Sequence, residues 1–201
     1  LLLPAQAELH PGQMRVTVLD VGQGLSVLVQ TAHHKMTFAP SMLYDAGPAY
    51  NEESDAGQRI VLPYLRHLGV SHLDNVVISH DDNDHSGGMA SVLAGVSSGK
   101  LLSSLTPESD FFTQTQALPH PPVLRHQPCY QGQQWQWDNI SFHMLSPAKN
   151  YGTMSRSRPI IMVPAWCPPR AVWCSRRRSS GSSPPLTVAA ASRSGISTPA
   201  T

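Results

Sequence analysis

The chain has few charged residues and few cysteines, and this composition limits the classes of protein to which it can belong. Charged residues make up 13% of its 201 residues, and its three cysteines show no CxxC spacing. This odd, scattered set excludes a disulfide framework and indicates free thiols in a reducing compartment. Long apolar runs are missing as well. The opening run, residues 1–4, is too short to span a bilayer and lacks the cationic start of a signal peptide.

Acidic residues are missing after Asp138, and histidines are missing after His143. Residues 1–150 carry 7 basic and 13 acidic groups, a net charge of −6. Residues 151–201 carry 7 arginines and no acid, a net charge of +7, together with many prolines and serines. Such a switch is typical of a domain boundary or of a change of coding origin. The composition predicts a disordered tail over 151–201, in which prolines interrupt any regular element.

Short alternating and apolar runs in the first 150 residues predict a mixed α/β chain. Strands are expected at 15–21, 25–29, 42–45, 73–78 and 101–105. A helix capped by Ser54 or Asp55 is expected to run to Leu68, kinked or shortened by Pro63. A short helix is predicted at 88–93, a long loop at 106–128, and a hairpin joining 135–137 to 140–145.

The segment 79–88, SHDDNDHSGG, carries the strongest chemical signal. Four potential metal ligands, His80, Asp82, Asp84 and His85, fall within six residues directly after a predicted buried strand. Imidazole and carboxylate together suit zinc, manganese or iron. A solvated polar turn is the alternative for an isolated HxD, but the whole run after a buried strand favours a metal site.

The ligand segment occurs together with three further motifs: LDVGQG at 19–24, LYDAG at 43–47, and SDAG at 54–57 followed by LPYL at 62–65. This set resembles the metallo-β-lactamase superfamily, whose signature is His-x-His-x-Asp-His. The chain has His80-x-Asp82-x-Asp84-His85, with Asp in the second position. The subgroup with that substitution is similar to the C-terminal domain of ComEC-type competence proteins, which import transforming DNA. The resemblance covers roughly residues 14–147.

The resemblance implies an α/β (α+β) fold, a four-layer αββα sandwich of which only the N-terminal half is expected here. It implies up to two divalent metals, zinc or manganese, no small organic cofactor, and a hydrolase that acts as a nuclease in DNA uptake. The implied partners are single-stranded DNA and a membrane channel domain, which places the full-length family at the inner membrane. Residues 1–13 are then a linker from a missing upstream membrane region, 14–150 a partial domain, and 151–201 the tail.

The later motifs of the family are missing after Met144. These are an Asn-Asp-x-Ser-Cys-Val-Val-like strand, Leu-x-Gly-Asp, and His-His-Gly-Ser. One choice of codons for residues 161–167, read two bases later, encodes Asn-Gly-Ser-Cys-Val-Val, close to the missing strand. We therefore expect a truncated, frameshifted chain, with a shift between about Ser146 and Ile160 and a tail translated out of frame.

The resemblance also assigns roles to the candidate site residues. His80, Asp82 and His85 hold or approach the first metal, and Asp84 approaches the second and is the catalytic residue. Asp20 and Asp45 end strands, where a carboxylate either orients a ligating histidine or caps a turn. The choice stays open for Asp20, whereas turn capping is favoured for Asp45.

Other side chains have weaker claims to function. Trp135 and Trp137 either stack on bases or form a hairpin face, and the hairpin face is favoured. The arginines at 176–178 either contact phosphates or belong to an unselected basic tail, which is favoured. His33 and His34 are expected to be solvated, and His143 is not expected to be a ligand. Two alternative functions remain: a catalytically inactive remnant of the domain, and a nucleic-acid-binding module that uses the tail.

Overall fold

In the computed structural model, residues 8–32, 39–119, 122, 125–149, 161–166 and 187–191 are described. The strands are β1 (Met14–Leu19), β2 (Val27–Thr31), β3 (Ser41–Tyr44), β4 (Ala49–Asn51), β5 (Ser54–Asp55), β6 (His72–Ile78), β7 (Ser97–Ser103), β8 (Arg125–Pro128), β9 (Gln134–Trp137), β10 (Ile140–Ser146), β11 (Ile161–Trp166) and β12 (Thr187–Ala191). A π-helical turn, Gly57–Val61, leads into α1 (Leu62–His67), and the further helices are α2 (Asn83–Ser86), α3 (Met89–Gly95) and α4 (Asp110–Gln116).

A seven-stranded sheet in the order β12-β1-β2-β3-β6-β7-β8 forms the centre of the fold. The strands β1, β2 and β3 pair antiparallel, whereas β3, β6, β7 and β8 pair parallel. Parallel neighbours need crossover connections, and the helical segments supply them. The strand β6 carries the uninterrupted apolar run Val76–Val77–Ile78, and all three side chains are fully buried, as expected of a parallel strand covered on both faces.

The core has two parts, one on each face of this sheet. On one face, side chains from α1, α3 and α4 pack against the sheet, among them Leu65, Met89 and Phe111. On the other face, the three-stranded sheet β11-β10-β9 packs through Phe142 and Met144. The order helix, sheet, sheet corresponds to the first three layers of an αββα sandwich, and the predicted α/β fold class is confirmed.

The prediction of a structureless loop over 106–128 is wrong, because α4 and β8 lie within it. The hydroxyl of Ser109 accepts a hydrogen bond from the Phe111 N–H at 3.2 Å, which caps α4, and Phe111 is buried in the core. The strand β8 consists of polar residues and proline, so only its backbone pairing with β7 makes it a strand.

The predicted helix from residue 54 begins later than expected. Ser54 and Asp55 form β5, and helical structure starts at Gly57 with the π-helical turn. Asp55 still acts as expected of a capping residue, since its Oδ1 accepts a hydrogen bond from the Gln58 N–H at 2.7 Å. Pro63 lies at the start of α1, directly after the π-helical turn, so its missing N–H removes one hydrogen bond from a helical run that begins before it.

Two segments of the predicted tail form strands. The strand β11 pairs antiparallel with β10, and β12 pairs parallel with β1. Pro164 was expected to break any element, yet it lies in β11, which is an edge strand and therefore tolerates a missing donor. The rest of the tail lies outside the described residues, as do residues 1–7, and the domain division and the frameshift stay predictions.

Within the described ranges, no helix combines the length and apolar character that crossing a bilayer requires. Cys129 is a buried free thiol, and burial raises the pKa of its thiol to about 12. Cys167 and Cys174 lie outside the part of the chain that the structure describes.

Candidate metal centre

The ligand segment follows β6 and folds into a short helical turn. Asp82 has an extended backbone (φ −77°, ψ 142°) and directly precedes α2, which carries Asp84 and His85. The N–H of His85 donates to the Asp82 carbonyl at 3.0 Å, which closes the turn. This compact path brings together residues that an extended loop of the same length would spread over a longer distance.

The four predicted ligands meet as two pairs. The Nε2 atom of His80 lies 3.2 Å from Oδ2 of Asp82, and Nε2 of His85 lies 3.7 Å from Oδ2 of Asp84. The two imidazole rings lie side by side, with their centroids 4.0 Å apart. Both acids are more exposed than the rings, so the pairs open towards solvent.

Asp45 and Ser79 hold the two rings from behind. Asp45 is fully buried, and its Oδ2 lies 2.7 Å from Nδ1 of His85. Ser79 donates its hydroxyl to the same oxygen at 2.6 Å and its backbone N–H to Oδ1 at 2.8 Å. The hydroxyl oxygen of Ser79 also lies 2.9 Å from Nδ1 of His80. Asp45 therefore contacts the His85 ring directly, whereas the sequence analysis favoured a role in capping a turn.

These contacts determine which ring nitrogens carry protons. Because the Ser79 hydroxyl proton goes to Asp45, the hydroxyl oxygen is left to accept the Nδ1 proton of His80. His85 likewise donates its Nδ1 proton to Asp45. In the neutral rings both Nε2 atoms then carry lone pairs, and each faces a carboxylate oxygen. A cation placed between each lone pair and the carboxylate oxygen opposite it would interact favourably with both, so this donor set suits a divalent cation.

The fit is that of a partial site. Within the described part of the chain, no three His, Cys, Asp or Glu side chains converge closely enough to hold a metal ion. The pairs, their tautomers and the carboxylate behind His85 match what a metal ligand needs, whereas a closed coordination shell would require further groups. The ligand roles of His80, Asp82, Asp84 and His85 stay predictions.

Burial raises the pKa of the Asp45 carboxyl, and the hydrogen bonds from Ser79 and from His85 oppose that rise. Asp45 also has a left-handed backbone, φ 58°, which Asp tolerates better than most residues. Asp20 differs from it: the side chain is exposed and accepts a hydrogen bond from the Gly22 N–H at 3.2 Å, the contact of a turn cap.

Backbone hydrogen bonds fix the loops around the ligand segment. Leu25 N–H donates to the Asp84 carbonyl at 3.1 Å, and Ala46 N–H donates to the His85 carbonyl at 2.9 Å. Gly24 has φ +128°, and a Cβ there would collide with the Asp84 carbonyl. Glycine at this position therefore allows the loop before β2 to approach the ligand segment closely.

Comparison with known proteins identifies the family. The chain is 35% identical over 134 residues to competence protein ComA of Neisseria gonorrhoeae, a match that covers 67% of this chain and 16% of that protein. The chain belongs to the ComEC-type competence proteins through its metallo-β-lactamase-like domain. It is also 32% identical over 133 residues to recombination protein 2 of Haemophilus influenzae, covering 66% of this chain and 14% of that one. The chain thus spans about a sixth of the length of these relatives.

A solved metallo-β-lactamase from Cronobacter sakazakii, a HARLDQ-motif mutant, is 24% identical, with a TM-score of 0.40 over 60% of this chain and 46% of that chain. No family model matches the chain.

Sequence reasoning gave no role to Ser79, which bridges Asp45 and His80 in this ComEC-type domain. Its only signal was its position between a buried strand and the first ligand histidine. His143 lies on the half-buried face of β10, whereas the ligand segment follows β6. Residues 33, 34 and 176–178 lie outside the described residues, so the predictions for His33, His34 and the arginines are unchanged.

Trp135 and Trp137 pack on Phe142 of the neighbouring strand, as predicted for side chains on one face of a hairpin. The ring of Trp135 stacks on Phe142 with centroids 5.3 Å apart and an interplanar angle of 9°. Trp137 meets Phe142 edge to face at 5.2 Å. Both tryptophans contact the core between the sheets and remain partly accessible.

Proposed function

We propose that this chain carries the metal-binding half of a hydrolase domain from a DNA-uptake protein. The observation that carries the proposal is the Asp45–His85 contact at 2.7 Å, which leaves Nε2 of His85 free to bind a cation beside Asp84. A carboxylate behind a histidine is the usual support of a metal-ligating imidazole, because it fixes the tautomer and the ring orientation. Membership of the competence family supports DNA as the macromolecule concerned.

In the proposed site, His80, Asp82 and His85 would hold one zinc or manganese ion, and Asp84, the proposed catalytic residue, would approach a second. Such ions polarise a phosphoryl oxygen and lower the pKa of a bound water to about 7. The chain's own contribution is orientation: Asp45 keeps the proton on Nδ1 of His85, and Ser79 does the same for His80. No small organic cofactor enters the proposal.

The proposed substrate is a phosphodiester of single-stranded DNA, and the proposed partner is the membrane channel domain of the full-length family. A phosphodiester suits such a site because two bound metal ions would supply positive charge for the displacement at phosphorus. This assignment places the full-length protein at the inner membrane.

A second candidate, an inactive remnant with one weak metal site, is favoured by a specific observation. The sequence contains no Asp or His after His143, so the C-terminal quarter supplies no carboxylate or imidazole ligand. The two pairs of the ligand segment would then have to hold a cation without further side-chain ligands of these types from the tail.

Metal stoichiometry and DNA cleavage decide between the candidates. The purified chain is loaded with zinc or manganese and analysed by elemental analysis, and cleavage of labelled single-stranded DNA is followed for the wild type, His80→Ala and His67→Ala. His67 is an exposed histidine at the end of α1 and serves as the matched control.

Two ions per chain, with cleavage abolished by His80→Ala but not by His67→Ala, is the expected result for a hydrolase. One weak ion and no cleavage assigns the chain to the remnant. A chain that takes up no transition metal, or one whose uptake is equal in His80→Ala and the wild type, refutes both.

A further inference from the structure

A cleft of about 370 Å³ lies at the side of the sandwich where β8 and β9 are edge strands, apart from the ligand segment. It lies between the inner faces of the two sheets. Its lining is polar and aromatic, and includes Asn75, Lys100, Gln127, Tyr130, Trp135 and Trp137. Elsewhere the same space between the sheets is filled by apolar side chains.

The sheet register explains why the polar groups gather there. Lys100 of β7 pairs with Asn75 of β6 on one side and with Arg125 of β8 on the other. Residues paired across neighbouring strands project from the same face of a sheet, and so does Gln127, two residues after Arg125. The face that contributes Val77 to the inner core therefore becomes cationic and amide-rich towards β8.

Positive charge is concentrated at this edge against the overall trend of the first 150 residues. Only seven basic residues occur in that region, and three of them lie here. Lys100 lines the cleft, Arg125 is its neighbour in register, and the ammonium of Lys149 lies 5.3 Å from the centroid of the Tyr130 ring. None of the 13 acidic residues lines the cleft. The site therefore suits an anion.

The aromatic rings add a second preference. One face of Trp135 is used by Phe142, and its indole N–H is buried without an acceptor among the described residues. Trp137 and Tyr130 contribute two further ring surfaces. Aromatic rings beside amides and cations provide stacking, hydrogen bonding and phosphate contacts, the combination that single-stranded nucleic acid requires.

We propose that this cleft binds a nucleotide unit of single-stranded DNA, with the base among the aromatic and amide side chains and the phosphate at Lys100. The proposal deepens the proposed function, because it rests on DNA being the macromolecule that the domain handles. It assigns substrate holding to the lateral edge of the sandwich, separate from the ligand segment.

The test measures binding of a thymidylate hexamer to the full chain in the presence of EDTA, through quenching of tryptophan fluorescence. Lys100→Gln is compared with Arg66→Gln, which removes the same charge from an exposed position on α1. A hexamer of the same length without bases separates stacking from charge. A salt titration gives the number of phosphate contacts.

We expect quenching on binding, affinity lowered roughly tenfold for the abasic hexamer, as loss of base–aromatic stacking implies, and a salt slope smaller by about 0.7 in Lys100→Gln only. Equal effects of Lys100→Gln and Arg66→Gln, or binding without quenching, would overturn the proposal. If the chain binds the hexamer as expected but has no nuclease activity, the hydrolase assignment is refuted and the binding cleft is not. If the chain has nuclease activity but Lys100→Gln binds the hexamer as the wild type does, the binding cleft is refuted and the hydrolase assignment is not.

Discussion

Replacing Asp45 by Asn tests whether this buried carboxylate organises the ligand segment. Asp45 accepts three hydrogen bonds: one from the backbone N–H of Ser79, one from its hydroxyl, and one from Nδ1 of His85. Asn has nearly the same shape and tolerates the left-handed backbone at this position. The change therefore isolates hydrogen bonding and charge from packing.

The expected loss follows from which oxygen becomes an amide. If the NH₂ group replaces Oδ1, it faces the backbone N–H of Ser79, which can only donate a hydrogen bond and therefore loses its acceptor. If it replaces Oδ2, it faces the protonated Nδ1 of His85. At least one bond is lost in either orientation, and a hydrogen bond to a charged group contributes roughly 1.5–3 kcal/mol. Relief of the buried charge offsets part of this, so we expect Asp45→Asn to lower the free energy of unfolding by about 2 kcal/mol.

The assay is urea denaturation followed by a metal titration, with Asp74→Asn as the control. Asp74 is half-buried and, among the described residues, its side chain accepts one hydrogen bond, from the Ser41 N–H at 2.9 Å, which an Asn oxygen can also accept. We expect the control to change stability by less than about 0.5 kcal/mol, and metal affinity to fall about 10- to 100-fold in Asp45→Asn only. Equal stability losses in the two variants, or unchanged metal affinity in Asp45→Asn, would show that this reasoning is wrong.

Two further predictions concern the packing around the site and the pH dependence of stability. Gly24→Ala and Gly132→Ala both place a side chain on a left-handed backbone, at a cost of roughly 1–3 kcal/mol. Only the Cβ added at residue 24 collides with the Asp84 carbonyl, so we expect the urea midpoint of Gly24→Ala to fall further than that of Gly132→Ala. Equal midpoints for the two variants would contradict the close approach. Burial lowers the pKa of His126 below its ordinary value, so the unfolded chain takes up the proton first as pH falls. The resulting stability is complete above about pH 6.5 and is lost as pH falls through the folded-state pKa. His126→Gln should flatten the curve of urea midpoint against pH between 5 and 8, and parallel curves for both chains would refute this.

The strands of the central sheet could be predicted because their apolar residues are continuous or alternate over several positions. Val76, Val77 and Ile78 are a clear example, since burial on both faces requires an unbroken apolar run. The strand β8 has no such pattern: its residues are polar and it is held by backbone pairing to β7. Polar edge strands of this kind leave no periodic signal in a single sequence.

The ligand segment was predictable from local spacing, but its support was not. His80 and His85 are five positions apart, whereas Asp45 is 40 positions from His85 and 34 from Ser79. The parallel pairing of β3 with β6 brings the ends of these strands to the same edge, and this long-range contact creates the support. A single sequence shows that Asp45 ends a strand, and gives no indication of which histidine that strand end approaches.

The backbone bonds from Leu25 to Asp84 and from Ala46 to His85 use no side chain of the ligand segment. Mutations that remove imidazoles or carboxylates would consequently leave these loops where they are. The ligand side chains can therefore be lost during evolution while the backbone fold is kept, so a descendant without catalytic activity would still have the same fold. In this family a shared fold indicates common ancestry, and the side chains of the ligand segment indicate whether the chemistry is still present.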